Sequence, residues 1–281
     1  MMRGMIALEA PRVLPRDLTT PRYEILPFGS AEEQAAEVSS PLRLTVTISP
    51  KHGIDRSLAL AERLRPLGHA VTLHVAARMV RSAEHLDEIL ERAARAGIDD
   101  FLVIGGDAPE PLGPYVEAAP VLELIDRHEL RPARLGIGAY PEGHPLIPPE
   151  TLEAALARKA EVADYLVTQL CFDSSMLVRW LEGLRARGIA QPAYIGVAGP
   201  VERRRLLEIS TRIGVGPSLR FLRKQRGLTT LFRSPADTAG RFYDGAAPAV
   251  ARGDHGLAGF HFFTFNDLLG TWRWYEARRS R

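Results

Sequence analysis

Eight short apolar runs, rich in β-branched residues, recur along this 281-residue chain and constrain its fold more than any other feature. Most of them are continuously apolar rather than alternating, which is the pattern of strands that are covered on both faces. Segments of helical periodicity separate most of the runs, so the strands are predicted to lie parallel. The runs span residues 22–28, 42–49, 70–77, 101–106, 134–140, 165–172, 193–199 and 257–265.

Helical spacing of apolar residues predicts helices over 57–67, 83–96, 151–163 and 176–187. Three of these end next to a glycine (Gly68, Gly97 and Gly188), where a left-handed cap suits this residue. Eight strands with intervening helices predict a single-domain (β/α)8 TIM-type barrel of the α/β class. An open doubly wound sheet is the alternative, but no G-x-G-x-x-G follows the first run.

The domain boundaries follow from the same pattern. The barrel is predicted to span residues 21–281, after an N-terminal extension over 1–20. The long gap between 200 and 256 is predicted to hold extra helices before the last strand.

Charge and composition exclude several classes of protein. The 36 basic residues nearly balance the 34 acidic ones, and the arginines are mostly interspersed with Asp and Glu, so no nucleic-acid partner is expected. No apolar stretch is long enough for a signal peptide or a membrane span, which favours a cytoplasmic protein with no membrane partner. The single cysteine, Cys171, lies in an apolar run and is predicted to be a buried, unreactive thiol.

Polar residues stand at the ends of most predicted strands. Because active sites of such barrels lie at the carboxyl ends of the strands, these residues are predicted to converge on one pocket. They are Glu24, Thr47, His74, Asp107, Tyr140, Gln169 and Asn266. Each also has a structural explanation. Glu24 could be a surface charge, His74 a hydrogen-bonded core histidine, Asp107 a helix N-cap and Gln169 a polar residue of a barrel layer.

Two further patterns bear on the chemistry. Residues 138–145 read GAYPEGHP, a rigid polar loop after a strand, which could either hold a ligand or simply face water. His74, His144 and Asp107 lack the short spacing of metal ligands, and no G-x-S-x-G motif occurs, so neither a metal site nor a serine nucleophile is predicted.

The motifs YPEGHP, TQLCFD and HFFTFN, in this order after YEILPF, resemble the methylenetetrahydrofolate reductase family between residues 23 and 266. The resemblance implies a TIM barrel that binds FAD without a Rossmann motif. It also implies a reductase that interconverts 5,10-methylenetetrahydrofolate and 5-methyltetrahydrofolate by flavin-mediated hydride transfer from NAD(P)H.

The same resemblance implies roles for individual residues. Glu24 would be the general acid that opens the substrate ring, and Asp107 would lie near the pterin and the flavin N1 region. Gln169 would hydrogen-bond the pterin, and Phe221 is a candidate substrate contact. The residues that would hold the flavin are Thr47, His74, Asp107, Tyr140, His144 and Lys159, with Lys159 meeting a phosphate.

The chain departs from the family pattern near the flavin. Gly105-Gly106-Asp107 replaces R-G-D, and only Glu150 or Glu153 could stand for the family's adenine-side aspartate. These departures predict weak FAD binding. Two alternatives stay open: a divergent relative with a loosely bound flavin, a deazaflavin or no flavin, and a non-catalytic folate-binding barrel. A homo-oligomer is also possible.

Overall fold

The computed structural model describes residues 20–48, 52–144, 147–171, 173–200 and 235–279. Its eight parallel strands follow one another in chain order around a closed barrel, in which β1 also pairs with β8. The predicted TIM-type barrel is therefore confirmed, and the open doubly wound alternative is wrong. The strands are β1 (Arg22–Ile25), β2 (Arg43–Val46), β3 (Ala70–Ala76), β4 (Asp100–Ile104), β5 (Arg134–Ala139), β6 (Tyr165–Leu170), β7 (Ala193–Ala198) and β8 (Leu257–Phe263).

The helices of the described residues surround this barrel. All four predicted helices are present, and Gly68, Gly97 and Gly188 have the positive φ angles expected of caps. The helices are α1 (Ala31–Glu37), α2 (Gly53–Leu64), α3 (Ala83–Arg95), α4 (Ala118–Arg127), α5 (Pro149–Ala160), α6 (Ser174–Ala186), α7 (Pro235–Arg252) and α8 (Leu268–Arg279). Of the helices predicted before the last strand, α7 is seen; residues 201–234 lie outside the described residues.

Aliphatic side chains on the outer face of the barrel pack against the helices. Leu58 and Leu64 of α2, like Leu44 and Leu73 of the strands, are fully buried. Each such side chain contributes about 1.5–3 kcal/mol through burial. Helix α3 begins at a side-chain cap, because the Ser82 hydroxyl accepts a hydrogen bond from the His85 amide.

The barrel interior near the amino-terminal ends of the strands is polar, although branched aliphatic residues usually fill this space. The Arg22 guanidinium donates to Thr72 Oγ1 (2.8 Å), Tyr165 Oη (3.1 Å) and Asp100 Oδ2 (3.0 Å). Tyr165 Oη donates in turn to Asp100 Oδ1 (2.6 Å). These residues come from β1, β3, β4 and β6, which lie on different sides of the barrel, so their side chains meet inside it. Together with Tyr194, whose ring lies against Arg22, they form what we call the Arg22 network.

Candidate functional site

Glu24 lies two residues beyond Arg22 on β1 and therefore on the same, inner face of the strand. Its Oε2 is 3.1 Å from His261 Nε2 on β8 and 3.7 Å from His74 Nε2 on β3. His74 Nδ1 is in turn 3.0 Å from Thr47 Oγ1, just after β2. The four side chains, which we call the interior acid cluster, place a carboxyl group between two buried imidazoles.

Burial sets the protonation of this cluster. It raises the pKa of Glu24 to about 7, against the opposing effect of His74. It lowers the pKa of His74 to about 4 and that of His261 to about 3. At neutral pH both imidazoles are therefore neutral, and Glu24 is poised to release or accept a proton, as a general acid requires.

The structural explanation considered for Glu24 is wrong, and the one for His74 holds only for its Nδ1, which is hydrogen-bonded to Thr47. The Glu24 side chain is only 14% exposed and lies within the barrel, so it is not a surface charge. His74 is buried, but its Nε2 has no hydrogen-bond partner and is directed toward Glu24, so the ring is not a fully satisfied core histidine. A buried nitrogen without a partner is costly, which points to a functional constraint.

Residues after β8 fix the chain that follows Glu24. Thr264 Oγ1 donates to the Glu24 carbonyl (2.6 Å). Asn266 accepts from the Leu26 amide (2.7 Å) and donates to the Phe28 carbonyl (2.9 Å). Asn266 has a φ of +61°, a conformation that asparagine tolerates better than most residues. The Asn266 amide thus binds main chain, and its role is to position the loop after β1.

A second group, the loop cluster, consists of Asp107, Tyr140 and His144. The rings of Tyr140 and His144 are 5.3 Å apart and nearly perpendicular, and both residues are half-buried, so the YPEGHP loop is more than a turn in water. Asp107 is exposed, but its charge acts on both rings. In Tyr140 it raises the pKa, as burial also does. In His144 it opposes burial, whose larger effect lowers the pKa. It caps no helix, because α4 begins only at Ala118, so the N-cap explanation is wrong.

Arg78 holds the loop on which Asp107 stands. Its guanidinium donates to the carbonyls of Ala108 (2.6 Å), Pro109 (2.7 Å) and Val116 (3.3 Å). Within the same loop, a Cβ on Gly105 would have no atom within 4 Å. The Gly105 side of the loop therefore has free space.

Gln169 lies near the end of β6, where the register with β7 shifts between Val167 and Leu170. Its Oε1 accepts from the next amide, Leu170 N (2.9 Å). This irregular strand end depends on Gly196, because a Cβ there would lie 2.5 Å from the Thr168 carbonyl oxygen. β-bulges of this kind are common beside active sites, where they redirect a side chain.

The other predicted site residues are dispersed. Lys159 Nζ donates to the Gly138 carbonyl (3.3 Å), and burial lowers the pKa of this ammonium to about 8. Glu150 lies in the first turn of α5, and Glu153 forms an ion pair with Arg187. Phe221 lies outside the described residues. The predicted burial of Cys171 is confirmed, and that burial raises the pKa of its thiol to about 12, which disfavours the reactive thiolate.

Sequence reasoning missed His261 and Arg22. His261 is the nearest partner of the Glu24 carboxyl, yet it stands in the apolar run of β8. The available signal was the alternation of inward-facing and outward-facing residues along each strand. β1 and β8 pair Arg22 with His261 and Glu24 with Phe263, so the residues of these pairs share the inner face.

Replacing Asp107 by Asn is expected to lower the pKa of both His144 and Tyr140, because the Asp107 charge raises them. NMR titration of the His144 ring and ultraviolet titration of Tyr140 would measure the two changes. Asp87→Asn, which removes a carboxylate paired with His128, is the matched control and should leave both titrations unchanged. Unchanged values in Asp107→Asn would show that the loop cluster is not electrostatically coupled.

Fold and site together define a (β/α)8 barrel whose interior holds a carboxyl group between two buried imidazoles. The family model for methylenetetrahydrofolate reductase matches residues 31–212, well over half of the chain. The chain belongs to the methylenetetrahydrofolate reductase family. Glu24 and His261 lie outside the matched range, so their assignment rests on the geometry above.

Curated relatives agree with this family. Methylenetetrahydrofolate reductase 1 of Schizosaccharomyces pombe is 27% identical over 126 residues, which are 41% of this chain and 21% of the relative. Methylenetetrahydrofolate reductase (NADH) 1 of Arabidopsis thaliana is 26% identical over 161 residues, 51% of this chain and 27% of the relative. The matches thus span only about a fifth to a quarter of these relatives.

Solved structures share the fold. A Clostridium thermocellum protein that binds two copies of 5-methyl-5,6,7,8-tetrahydrofolic acid superimposes with a TM-score of 0.64 at 11% identity, covering 92% of this chain and 95% of that one. A GH18 chitinase from Cycas revoluta gives 0.54 at 12% identity, covering 93% and 99%. At such identities the likeness concerns the barrel alone.

The described residues show neither a membrane-spanning helix nor a metal-binding cluster. None of the helices in that part of the chain is long and apolar enough to cross a membrane. No group of three or more His, Cys, Asp and Glu residues there has the arrangement needed to hold a metal ion.

Proposed function

We propose that this chain is an oxidoreductase that interconverts 5,10-methylenetetrahydrofolate and 5-methyltetrahydrofolate with a flavin and NAD(P)H. The observation that carries the proposal is Glu24, a buried carboxyl group with a pKa of about 7 between two neutral histidines. Membership of the family and the folate bound by the Clostridium neighbour support the same substrate class.

Glu24 suits the difficult part of this reaction. The methylene carbon of the substrate is held between two nitrogens, and it accepts hydride only after one carbon–nitrogen bond has broken. Glu24 donates its proton to the departing nitrogen, and the other nitrogen stabilises the resulting iminium cation. Hydride addition to that carbon then gives the methyl group, so one proton and one hydride are consumed.

The residues present fit the ring end of a flavin. The rings of Tyr140 and His144 form a half-buried aromatic surface on which a flavin ring could lie. Asp107 adds a negative charge beside this surface. We infer that these three residues hold the flavin, with Thr47 and His74 at its deeper edge. When bound, the flavin would supply the hydride. An adjacent anion favours hydride donation, because reduction places negative charge on the flavin N1 region.

Substrate contacts are proposed for Gln169 and Phe221. Gln169, at the irregular end of β6, would hydrogen-bond the pterin. The Asp107 carboxylate, besides its effect on the flavin, would stabilise the positive charge of the iminium. The family match covers Gln169 and Asp107 and supports their proposed roles, whereas Phe221 lies outside it.

The alternative is a relative with a loosely bound flavin or a deazaflavin. Two observations favour it: Gly105 provides no side-chain donor, and the Lys159 ammonium is engaged by the Gly138 carbonyl. A non-catalytic folate-binding barrel is less well supported, because binding alone does not require a buried carboxyl group with a pKa near 7.

Replacing Gly105 by Arg is expected to tighten FAD binding, because the position has free space and the new guanidinium would add a donor. Equilibrium dialysis against FAD would measure the change. Gly183→Arg, which adds the same charge on α6 where a Cβ also touches nothing, is the matched control and should bind FAD as the wild type does. Equal affinity in all three proteins would contradict a flavin site beside Gly105.

The proposed function itself is tested by an anaerobic half-reaction. The protein, reconstituted with FAD, is mixed with 5-methyltetrahydrofolate, and flavin bleaching is followed by stopped-flow absorbance. Bleaching that yields the methylene product supports the proposal. Binding of folate without bleaching, with either FAD or a deazaflavin, would favour the non-catalytic barrel.

A further inference from the structure

The buried cation Arg22 is fixed in the barrel interior below the interior acid cluster. Its side chain is about 1% exposed, and its guanidinium lies over the rings of both Tyr165 (4.3 Å) and Tyr194 (4.4 Å). Hydrogen bonds to Thr72 and Asp100 hold it from the β3 and β4 sides. With contacts on four other strands, this charge has no freedom to move away from its position.

The position of Arg22 matters because its backbone lies nearer to that of His261 than to that of Glu24. Arg22 and His261 are in-register partners on neighbouring strands, whereas Glu24 is two residues further along β1. Neighbouring strands are about 4.8 Å apart, while two residues along a strand cover about 6.6 Å. If the shared proton moved from Glu24 to His261, the positive end of the resulting ion pair would face Arg22.

We propose that Arg22 is a positioning residue that keeps the proton of the interior acid cluster on Glu24 rather than on His261 or His74. In a low-dielectric interior, like charges repel strongly, so a fixed cation disfavours an imidazolium beside it. Burial is the largest cause of the low pKa of both histidines, and the Arg22 charge lowers both further, in His74 against the raising effect of Glu24. The transfer of that proton to a substrate rests on the proposed function. The location of the proton in the substrate-free protein does not.

Other titratable groups of the barrel interior leave this assignment unchanged. Asp100 is the anion of the Arg22 network, but it is already paired with Arg22 and Arg134. The groups that face Arg22 or the cluster are Glu24 on β1, Arg43 on β2, His74 on β3, Asp100 on β4, Arg134 on β5, Tyr165 on β6, Tyr194 on β7 and His261 on β8.

The first test uses the wild-type protein without substrate. Ring ¹⁵N and ¹³C shifts of His74 and His261 are followed by NMR between about pH 5 and pH 8, the range in which an unperturbed histidine titrates. We expect both rings to stay neutral throughout, while the Glu24 carboxyl titrates. A charged His74 or His261 at pH 7 would overturn the proposal.

The second test removes the cation. Arg22→Met combined with Asp100→Asn deletes both charges of the buried pair, so no lone ion is left behind. We expect the pKa of both histidines to rise, with burial, the largest cause of their low pKa, left in place. Tyr165→Phe is the matched control, because it disturbs the same network but keeps the Arg22 charge, and its histidines should stay neutral. A folded double variant with wild-type titrations would overturn the proposal; if the double variant does not fold, the wild-type titration decides.

Discussion

Replacing Glu24 by Gln is expected to lower turnover of methylenetetrahydrofolate by about 10²-fold or more, while folate binding is retained. Glutamine keeps the size and a hydrogen-bonding group but has no proton to donate, and general-acid catalysis commonly contributes about 10²–10⁴-fold. Turnover would be measured in steady state, and binding by titration with 5-methyltetrahydrofolate. Glu32→Gln, which removes a carboxylate from an exposed ion pair on α1, is the control and should be near normal.

The pH dependence of the wild type makes the same test in another way. A general acid must be protonated, and the pKa of Glu24 is raised by burial to about 7. The rate should therefore fall as the pH rises above about 7, by about tenfold per unit once Glu24 is mostly ionised. This limb of the profile should disappear in Glu24→Gln. Near-normal turnover in that variant, with the limb still present, would exclude Glu24 from the mechanism.

Replacing Asp100 by Ala is expected to lower the free energy of unfolding by about 3–5 kcal/mol, because it leaves Arg22 buried without its anion. Asp100 is 2% exposed and accepts hydrogen bonds from Arg22 and Tyr165. Urea unfolding followed by circular dichroism would measure the loss.

The control for this prediction is Asp126→Ala, which breaks an ion pair with Arg131 whose carboxyl side is 38% exposed. Exposed pairs contribute about 1 kcal/mol or less, so this variant should be nearly as stable as the wild type. A loss of similar size in the two variants would show that the Arg22 network is no more important to stability than a surface pair.

The barrel could be predicted from the sequence because strands covered on both faces are continuously apolar. The ends of the strands could not be predicted in this way. The first run was predicted to continue to residue 28, but β1 ends at Ile25, because the Leu26 amide bonds to the Asn266 side chain instead of a neighbouring strand. A contact across 240 positions of sequence leaves no local signal.

The candidate site was predicted only in part for a similar reason. Glu24, Asp107, Tyr140 and His144 were found because each stands out against an apolar run or a proline-rich loop. His261 was missed because it is hidden among phenylalanines. Only the pairing of β1 with β8 brings it to the inner face beside Arg22, from where its ring reaches the Glu24 carboxyl. The predicted flavin residues also divide into two groups, which strand order alone does not reveal.

The bond between Glu24 and His261 joins positions 237 residues apart, the first strand and the last. During synthesis, the first strand leaves the ribosome long before its partner exists, and non-local pairings of this kind form late in folding. A nascent chain therefore has the carboxyl group but not the enclosure that raises its pKa. On the proposed function, the acid would acquire its chemistry only when the ring of strands closes, so turnover would report that folding is complete.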